Sequence, residues 1–399
     1  MPRPDLPPAT APMRLATTIR PYDWGSVTAL PRLFGTEPTG EPQAELWMGA
    51  HPGAPSTVGD VPLGELIAHD PAATLGDPVA ARFGGELPYL LKVLAIERPL
   101  SLQVHPTTEQ AQAGFAAENA RGIPLDDRTR TYKDASHKPE MVCALTPFHG
   151  LCGFRDPAAT AALLDRLGVA GLRPWIDALT GGEPGQALRE VFAAMLDDAA
   201  GPLRAEVERA LLKVSPDAED ELAPYAGIAR DYPGDPGIAA ALLLNHVDLA
   251  PGQALYLGAG VPHAYLGGIG VEIMANSDNV LRCGLTSKHV DVPELMRVVD
   301  FAPTAPHLVE PAQDAPGAYA YRPPAPEFAL TRHELTGESG HELPGGVPQI
   351  VLCVEGEARL GDELVLRPGE SAFVPAAVPS VTLSGKGTAY RAEPGAFTK

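Results

Sequence analysis

Three short stretches carry the residues able to do chemistry. In Ser101-Leu102-Gln103-Val104-His105-Pro106 the apolar, β-favouring run from Leu100 to Val104 reads as a strand. Side chains two apart on a strand face the same way, so Ser101, Gln103 and His105 share one face. In His137-Lys138-Pro139-Glu140-Met141-Val142 the same period sets Lys138 beside Glu140 ahead of an apolar strand. Gly260-Val261-Pro262-His263-Ala264-Tyr265 supplies a further imidazole. The Gln103 amide oxygen, the His105 and His263 nitrogens and the Glu140 carboxylate make a mixed nitrogen and oxygen donor set, which suits zinc.

A second group gathers around these candidate ligands in sequence: Ser101, Lys138, Glu272, Asp278, Arg282 and Lys288. Lys92 lies inside the apolar run from Leu90 to Ile96, where an ammonium needs either a partner or a wet cleft. The chain has only seven lysines against 23 arginines, yet Lys92, Lys133, Lys138 and Lys288 all fall in or beside the polar motifs. Two readings stand: chance, or positions that want a compact ammonium rather than a planar fork, as for a phosphate or a proton transfer. On a chain of net charge −20, cations beside a metal select an anionic ligand, and phosphate is the natural one. Trp24, Trp47 and His51, each close to a Gly turn, read as aromatic packing, and His69, His246, His307, His333 and His341 read as ordinary structural histidines.

The elements that position these groups are legible in outline. Residues 1 to 14 are Pro-rich and read as a loose lead-in. Thr107-Thr108-Glu109-Gln110 has the form of a capping box, so the strand bearing Gln103 and His105 ends at a helix start, with the helix continuing over 111–120. Residues 155 to 243 are Ala- and Leu-rich segments between Gly, Pro and Asp turns, which predicts a helical insertion. Strand signals return at Val247, and there the chain repeats itself: residues 251–263 lie over residues 368–380 without a gap. Each copy is a Pro-Gly turn, an apolar strand, a small-residue bend and a Val-Pro step into another strand. This is how a jelly-roll cupin barrel presents a metal ligand, and the second copy has Ser380 where the first has His263. The C-terminal unit therefore reads as a barrel without a site.

Length and composition bound the rest. A chain of 399 residues has room for two or three packed units. Its acidic residues are scattered, which serves solubility and argues against nucleic acid or anionic membrane as partners. No apolar run approaches the roughly 20 residues of a membrane span, and the first twenty residues lack the apolar core of a signal peptide. Cys143, Cys152, Cys283 and Cys353 form no C-x-x-C pair, and reduced thiols in a cytoplasmic protein are expected.

Together, Trp47-Met48-Gly49, Leu91-Lys92-Val93-Leu94, Leu100 through Pro106, His137-Lys138-Pro139-Glu140 and His263-Ala264-Tyr265 through Arg282 resemble the type I mannose-6-phosphate isomerases, zinc-dependent members of the cupin superfamily. The resemblance implies one zinc per chain, held by Gln103, His105, Glu140 and His263, with Arg282 as the essential arginine. It implies substrate-pocket roles for Ser101, Lys138, Tyr265, Glu272, Asp278 and Lys288, with Lys92 beside them. The implied reaction interconverts mannose 6-phosphate and fructose 6-phosphate through an enediol. Glu272 or Lys138 would then be the base and Asp278 an aid to ring opening. One departure is Gly284-Leu285-Thr286-Ser287-Lys288-His289, which lacks the Pro before the lysine and the second lysine after it that the family usually has. The expected fold is mainly β with a helical insertion: two cupin-type jelly-roll barrels, the second lacking a metal site, plus a small helical domain. The expected units are 1–154 together with 244–317, 155–243, and 318–399, in a monomer. Two rivals stand beside this reading. A non-haem iron oxygenase also uses two histidines and a carboxylate, although Gln103 would fill an open position; a metal-stabilised sugar-binding cupin would need neither Arg282 nor the lysines.

Overall fold

The computed structural model describes residues 7–215 and 219–395. Its centre is the strand Tyr89–Ile96, buried at every position. One side of it pairs with Glu45–Met48 and the other with His263–Ala275, in an eleven-stranded sheet among the described residues. The long strand His263–Ala275 serves two sets of neighbours. Its first part, through Gly267, pairs with Phe148–Phe154 and touches Gln103, and its second part pairs with Tyr89–Ile96 and Glu140–Ala144. The change comes at a register irregularity between Tyr265 and Gly267, followed by Gly268 at φ 111°. A Cβ at Gly268 would stand 2.6 Å from the Pro147 carbonyl oxygen, so only glycine lets the strand turn this corner.

The C-terminal part repeats that construction. The sequence repeat becomes matched strands: Ala254–Leu257 corresponds to Ser371–Val374, and His263–Ala275 to Ser380–Glu393, each pair starting at aligned positions. Both copies begin on a glycine of positive φ, Gly252 at 86° and Gly369 at 84°. Gly385, aligned with Gly268, has φ 124° and would place a Cβ 2.1 Å from the Glu357 carbonyl oxygen. The long strand Ser380–Glu393 likewise pairs with several partners in a nine-stranded sheet among the described residues.

The lead-in is shorter than expected. Met13–Leu15 forms a strand on Ser371–Val374, at the edge of the C-terminal sheet, because its alternating Met13 and Leu15 side chains are buried there. Residues 1–6 lie outside the described residues. Ala312–Ala315 joins the same sheet at its other end. The two sheets share one apolar core, in which Leu91, Val93 and Ile273 meet Phe328, Ile350 and Phe373. Buried hydroxyls bridge the same interface: Tyr89 donates to the Pro348 or Ala392 carbonyl (3.2 and 3.1 Å), and Tyr321 donates to the Gly252 carbonyl at 2.6 Å.

The described residues between 155 and 243 are mainly helical, including Pro157–Arg166, Pro184–Leu196, Gly201–Leu211 and Ala223–Asp231. Their apolar faces pack on one another and reach Leu102, Val104, Leu281 and Leu285, the back of the strands that carry Gln103 and Arg282. The helix after Pro106 runs Thr108–Ala120, and its capping box is complete: Thr107 Oγ1 accepts from the Gln110 N–H while Gln110 accepts from the Thr107 N–H. The mainly β architecture with several helices agrees with the expectation. Among the described residues no helix is long and apolar enough to cross a membrane.

Candidate metal centre and substrate cavity

Gln103, His105, Glu140 and His263 converge from three strands and the turn that follows one of them. Gln103 sits on Leu102–Val104, Glu140 opens Glu140–Ala144, and His263 opens His263–Ala275, opposite Gln103 in register. His105 Nε2 lies 3.2 Å from Glu140 Oε2, His263 Nε2 3.4 Å from the same oxygen, and the Gln103 amide 3.2 Å from His263 Nε2. Ligands about 2.1 Å from a tetrahedral zinc stand about 3.4 Å apart, so these separations are already those of a metal's donor shell.

The hydrogen bonds around the rings point to the same use. His105 Nδ1 donates to the Asn279 carbonyl (2.8 Å) and His263 Nδ1 to the Val261 carbonyl (2.9 Å). A carbonyl can only accept, so each ring carries its proton on Nδ1 and turns the Nε2 lone pair inward. His105 Nε2 and Glu140 Oε2 are fully buried yet make no hydrogen bond. Two facing buried acceptors without a donor are costly unless a cation lies between them. Burial pushes the His105 imidazole down to about 4, which keeps it neutral. Burial favours the neutral form of Glu140 too, but the Lys138 ammonium beside it outweighs this and holds the carboxyl well below the usual range. A half-turn of the Gln103 amide exchanges its oxygen and nitrogen, so the oxygen can complete the set. The residues present fit a bound zinc.

A cavity of about 420 Å³ opens over Gln103 and Glu140. The structure brings all the other expected residues to its wall: Ser101, Lys138, Glu272 and Tyr265 near the donor set, and Lys92, Asp278, Arg282 and Lys288 around it. Lys138 reaches Glu140 Oε1, so it points the same way as the ligand, as its spacing predicts. Lys92 is buried between Glu45 Oε2 (3.4 Å) and Glu272 Oε2 (3.2 Å). Burial alone would lower its pKa, but the two carboxylates raise it, so it stays an ammonium. Glu272 is held above the ordinary carboxylate range by burial, with Lys92 partly offsetting that. Burial and the charges of Glu272 and Glu140 likewise raise the Tyr265 hydroxyl, which has no hydrogen-bond partner.

Arg282, opposite Gln103 on a neighbouring strand, has no acidic partner among the described residues. Burial lowers its pKa, and no protein carboxylate compensates. Lys288 stands near it, also lowered by burial and by the Arg282 charge. Both border a second chamber of about 770 Å³ that also holds Lys133 and Asp278. Asp126, Asp127 and Asp291 line that chamber too, but among the described residues none forms an ion pair with Arg282 or Lys288, which leaves both cations open to an anionic ligand.

Several residues of the site escape sequence reasoning. Glu45 fixes Lys92 and accepts from Trp47 Nε1 at 2.5 Å, and Trp47 carries Lys92 over its ring at 5.1 Å. Trp47 packs as expected, against Leu90 and Met274, but it also lines the cavity, as do Tyr22, Trp24 and His51. The packing reading of Trp47 and His51 was therefore too narrow. His51 accepts from the Gly53 N–H through Nδ1 (3.0 Å), which leaves its Nε2 proton facing Asp278 Oδ1 at 3.3 Å. That contact, before burial, sets the lowered pKa of Asp278. Asn279, which orients His105, is itself held by the carbonyls of Asp134 (2.9 Å) and Ser136 (2.8 Å). The usable signal was Glu45: a carboxylate in a buried apolar strand announces a charged partner. His137 leaves the site altogether and pairs with Glu327 at 2.7 Å.

A buried donor set of this kind beside a cationic cavity has counterparts among known proteins. The family profile "Phosphomannose isomerase type I, catalytic domain" matches residues 13–157, and "Mannose-6-phosphate isomerase, cupin domain" matches residues 323–394. The mannose-6-phosphate isomerase of Escherichia coli K12 is 43% identical over 395 residues, covering 95% of this chain and 98% of that protein. The chain belongs to the type I phosphomannose isomerase family. The human mannose-6-phosphate isomerase is 33% identical over 363 residues, covering 81% of this chain and 82% of its own. The apo crystal structure of the Salmonella typhimurium isomerase superposes with a TM-score of 0.89 at 41% identity, covering 96% of this chain and 99% of that one. A zinc-bound mannose 6-phosphate isomerase structure gives a TM-score of 0.89 at 40% identity, covering 96% of this chain and all of its own. The family's zinc-bound structures accord with the donor set described above.

Proposed function

We propose that the chain is a zinc-dependent aldose-ketose isomerase that interconverts D-mannose 6-phosphate and D-fructose 6-phosphate. The observation that carries this is the pairing of a buried, cation-demanding donor set with a cavity whose arginine has no acidic partner. In this reading Gln103, His105, Glu140 and His263 hold the ion. A zinc ion held there supplies Lewis acidity toward the oxygens at C1 and C2 of the substrate.

The protein groups do the rest. Lys288, Ser101 and Lys138 hold the phosphate and so fix the carbon chain, and Arg282 shares the charge that develops on the enediolate. Glu272 is the better base of the two candidates. Lys138 gives one N–H to Glu140 and keeps others for the phosphate, but an ammonium so paired is a poor proton acceptor, whereas only one Glu272 oxygen is engaged by Lys92, and its raised pKa suits a proton shuttled between C1 and C2. Asp278, held low by the His51 contact, takes the anomeric hydroxyl proton and returns it to the ring oxygen as the C1–O5 bond breaks and the ring opens. Tyr265 and Lys92 complete the wall against which the sugar lies.

The two sheets with their aligned strands and corner glycines support two cupin barrels. The metal belongs to the first, since Ser380 stands where His263 does. We divide the chain into 1–154 with 244–317 as catalytic cupin, 155–243 as helical insertion and 318–399 as C-terminal barrel, with Met13–Leu15 and Ala312–Ala315 lent to the last. A cytoplasmic monomer is the accompanying expectation; all four cysteines are buried and unpaired, as suits a reducing compartment. The iron-oxygenase and non-catalytic rivals are disfavoured by the near full-length likeness to isomerases. A coupled assay with mannose 6-phosphate, with and without a chelator, tests the function. Turnover that chelation abolishes and zinc restores is expected; absence of turnover in the zinc-loaded protein would overturn it.

A further inference from the structure

We propose a second divalent transition-metal site, on the surface, formed by His149, His246 and Asp248. The three come from one antiparallel pair, Phe148–Phe154 and Leu244–Leu249. His149 lies directly opposite Asp248, and His246, two residues before Asp248, shares its face. The register is regular from His246 through Leu249, after an irregularity between Leu244 and His246, so His246 and Asp248 stay on one face.

Both imidazoles turn Nδ1 to the same carboxylate. His149 Nδ1 is 2.5 Å from Asp248 Oδ1, His246 Nδ1 is 3.6 Å from Oδ2, and the rings stand 6.2 Å apart and nearly parallel at 9°. An ordinary ion pair accounts for one histidine and one oxygen. Here a second ring turns Nδ1 to the other oxygen; since a carboxylate only accepts, His149 carries its proton on Nδ1, and an ion held by all three takes that place as the ring shifts its proton to Nε2. The three donor atoms all lie within 4.8 Å of one another, against the roughly 3.4 Å of a tetrahedral shell. The side chains of His149 and Asp248 are 50% and 66% exposed, so closing that gap takes rotation of free side chains and no movement of the backbone. Among the described residues this is the one such donor cluster besides the buried one, and the two share no residue.

Two imidazoles and a carboxylate select a borderline ion, zinc, nickel or copper(II), over magnesium or calcium. Three protein ligands leave one position to water. The site therefore binds reversibly and differs from the enclosed inner centre, although Cys152 on the same strand pairs with His263 itself.

The test uses the full-length holoenzyme, dialysed to its tightly held metal and then titrated with Zn2+ alone. Wild type is expected to take up one further ion per chain, and that equivalent to disappear in His149→Ala/His246→Ala and in Asp248→Asn, with turnover unchanged. Copper(II) added instead of zinc should give nitrogen hyperfine lines from imidazole in wild type and lose them in the double variant. No added equivalent in wild type, or an added equivalent that survives in both variants, overturns the site and identifies any uptake as loose binding to the acidic surface.

Discussion

Replacing Lys92 by methionine tests how the cavity is held together. Methionine keeps the length and fills the same space, so the change is mainly the loss of charge. Lys92 stands 3.2 Å from Glu272 Oε2 and 3.4 Å from Glu45 Oε2, and all three side chains are at most a tenth exposed. Without the ammonium, two carboxylates stay buried and face each other. Removing one partner of such a buried pair typically costs about 3–5 kcal/mol, a third or more of the stability of many domains, which is about 5–15 kcal/mol. The loss depends on pH in a definite direction. Glu272 already titrates above its unfolded value because burial opposes its charge, and removing Lys92 raises it further. A carboxyl raised in the folded state contributes stability that is full below the unfolded value near about 4.3 and is lost as pH rises through the folded value. The Lys92→Met deficit is therefore largest at about pH 8 and shrinks toward about pH 5.5. Urea denaturation of zinc-saturated wild type and variant at both pH values reads this directly. Adding Glu272→Gln to the variant should recover part of the loss. A deficit under about 1 kcal/mol at the higher pH, or one that grows as pH falls, refutes the buried triad as described.

Substitutions at three other residues address the site itself. His263→Ala should lower tightly held zinc from about one per chain to near none by elemental analysis; full occupancy in that variant removes His263 from the donor set. Arg282→Ala should lower kcat by about 10²- to 10³-fold, whereas a rise in KM with kcat intact would make it a phosphate anchor alone. Lys138→Met should leave zinc bound and depress kcat/KM for mannose 6-phosphate, and Lys138→Arg should restore little because the planar group crowds the metal; near-normal turnover in both would return Lys138 to the role of a structural partner of Glu140.

The donor set was legible in the sequence because each ligand lies where a local rule applies: the two-residue strand period for Gln103 and Glu140, the strand end for His105, the Pro-Gly repeat for His263. The capping box at Thr107 is equally local and formed as expected. What escaped depends on register between strands far apart in the chain. Lys92 has its partners because Trp47 and Glu272 fall opposite it on two different strands, and Glu45 reaches it from two residues before Trp47. No period within Leu90 to Ile96 encodes that choice. The lead-in, read as residues 1 to 14, ends early for the same reason, since the strand Met13–Leu15 pairs with Ser371–Val374, far along the chain, and the Pro-rich flank masks its buried side chains. His246 makes the point most sharply. Alone on its strand it looks like any half-buried histidine. Its two-residue spacing from Asp248 lies within one strand, but only the pairing with Phe148–Phe154 sets His149 against Asp248 and completes the cluster. A ligand set drawn from one strand is visible in its spacing, whereas one drawn across strands exists only once the register is known.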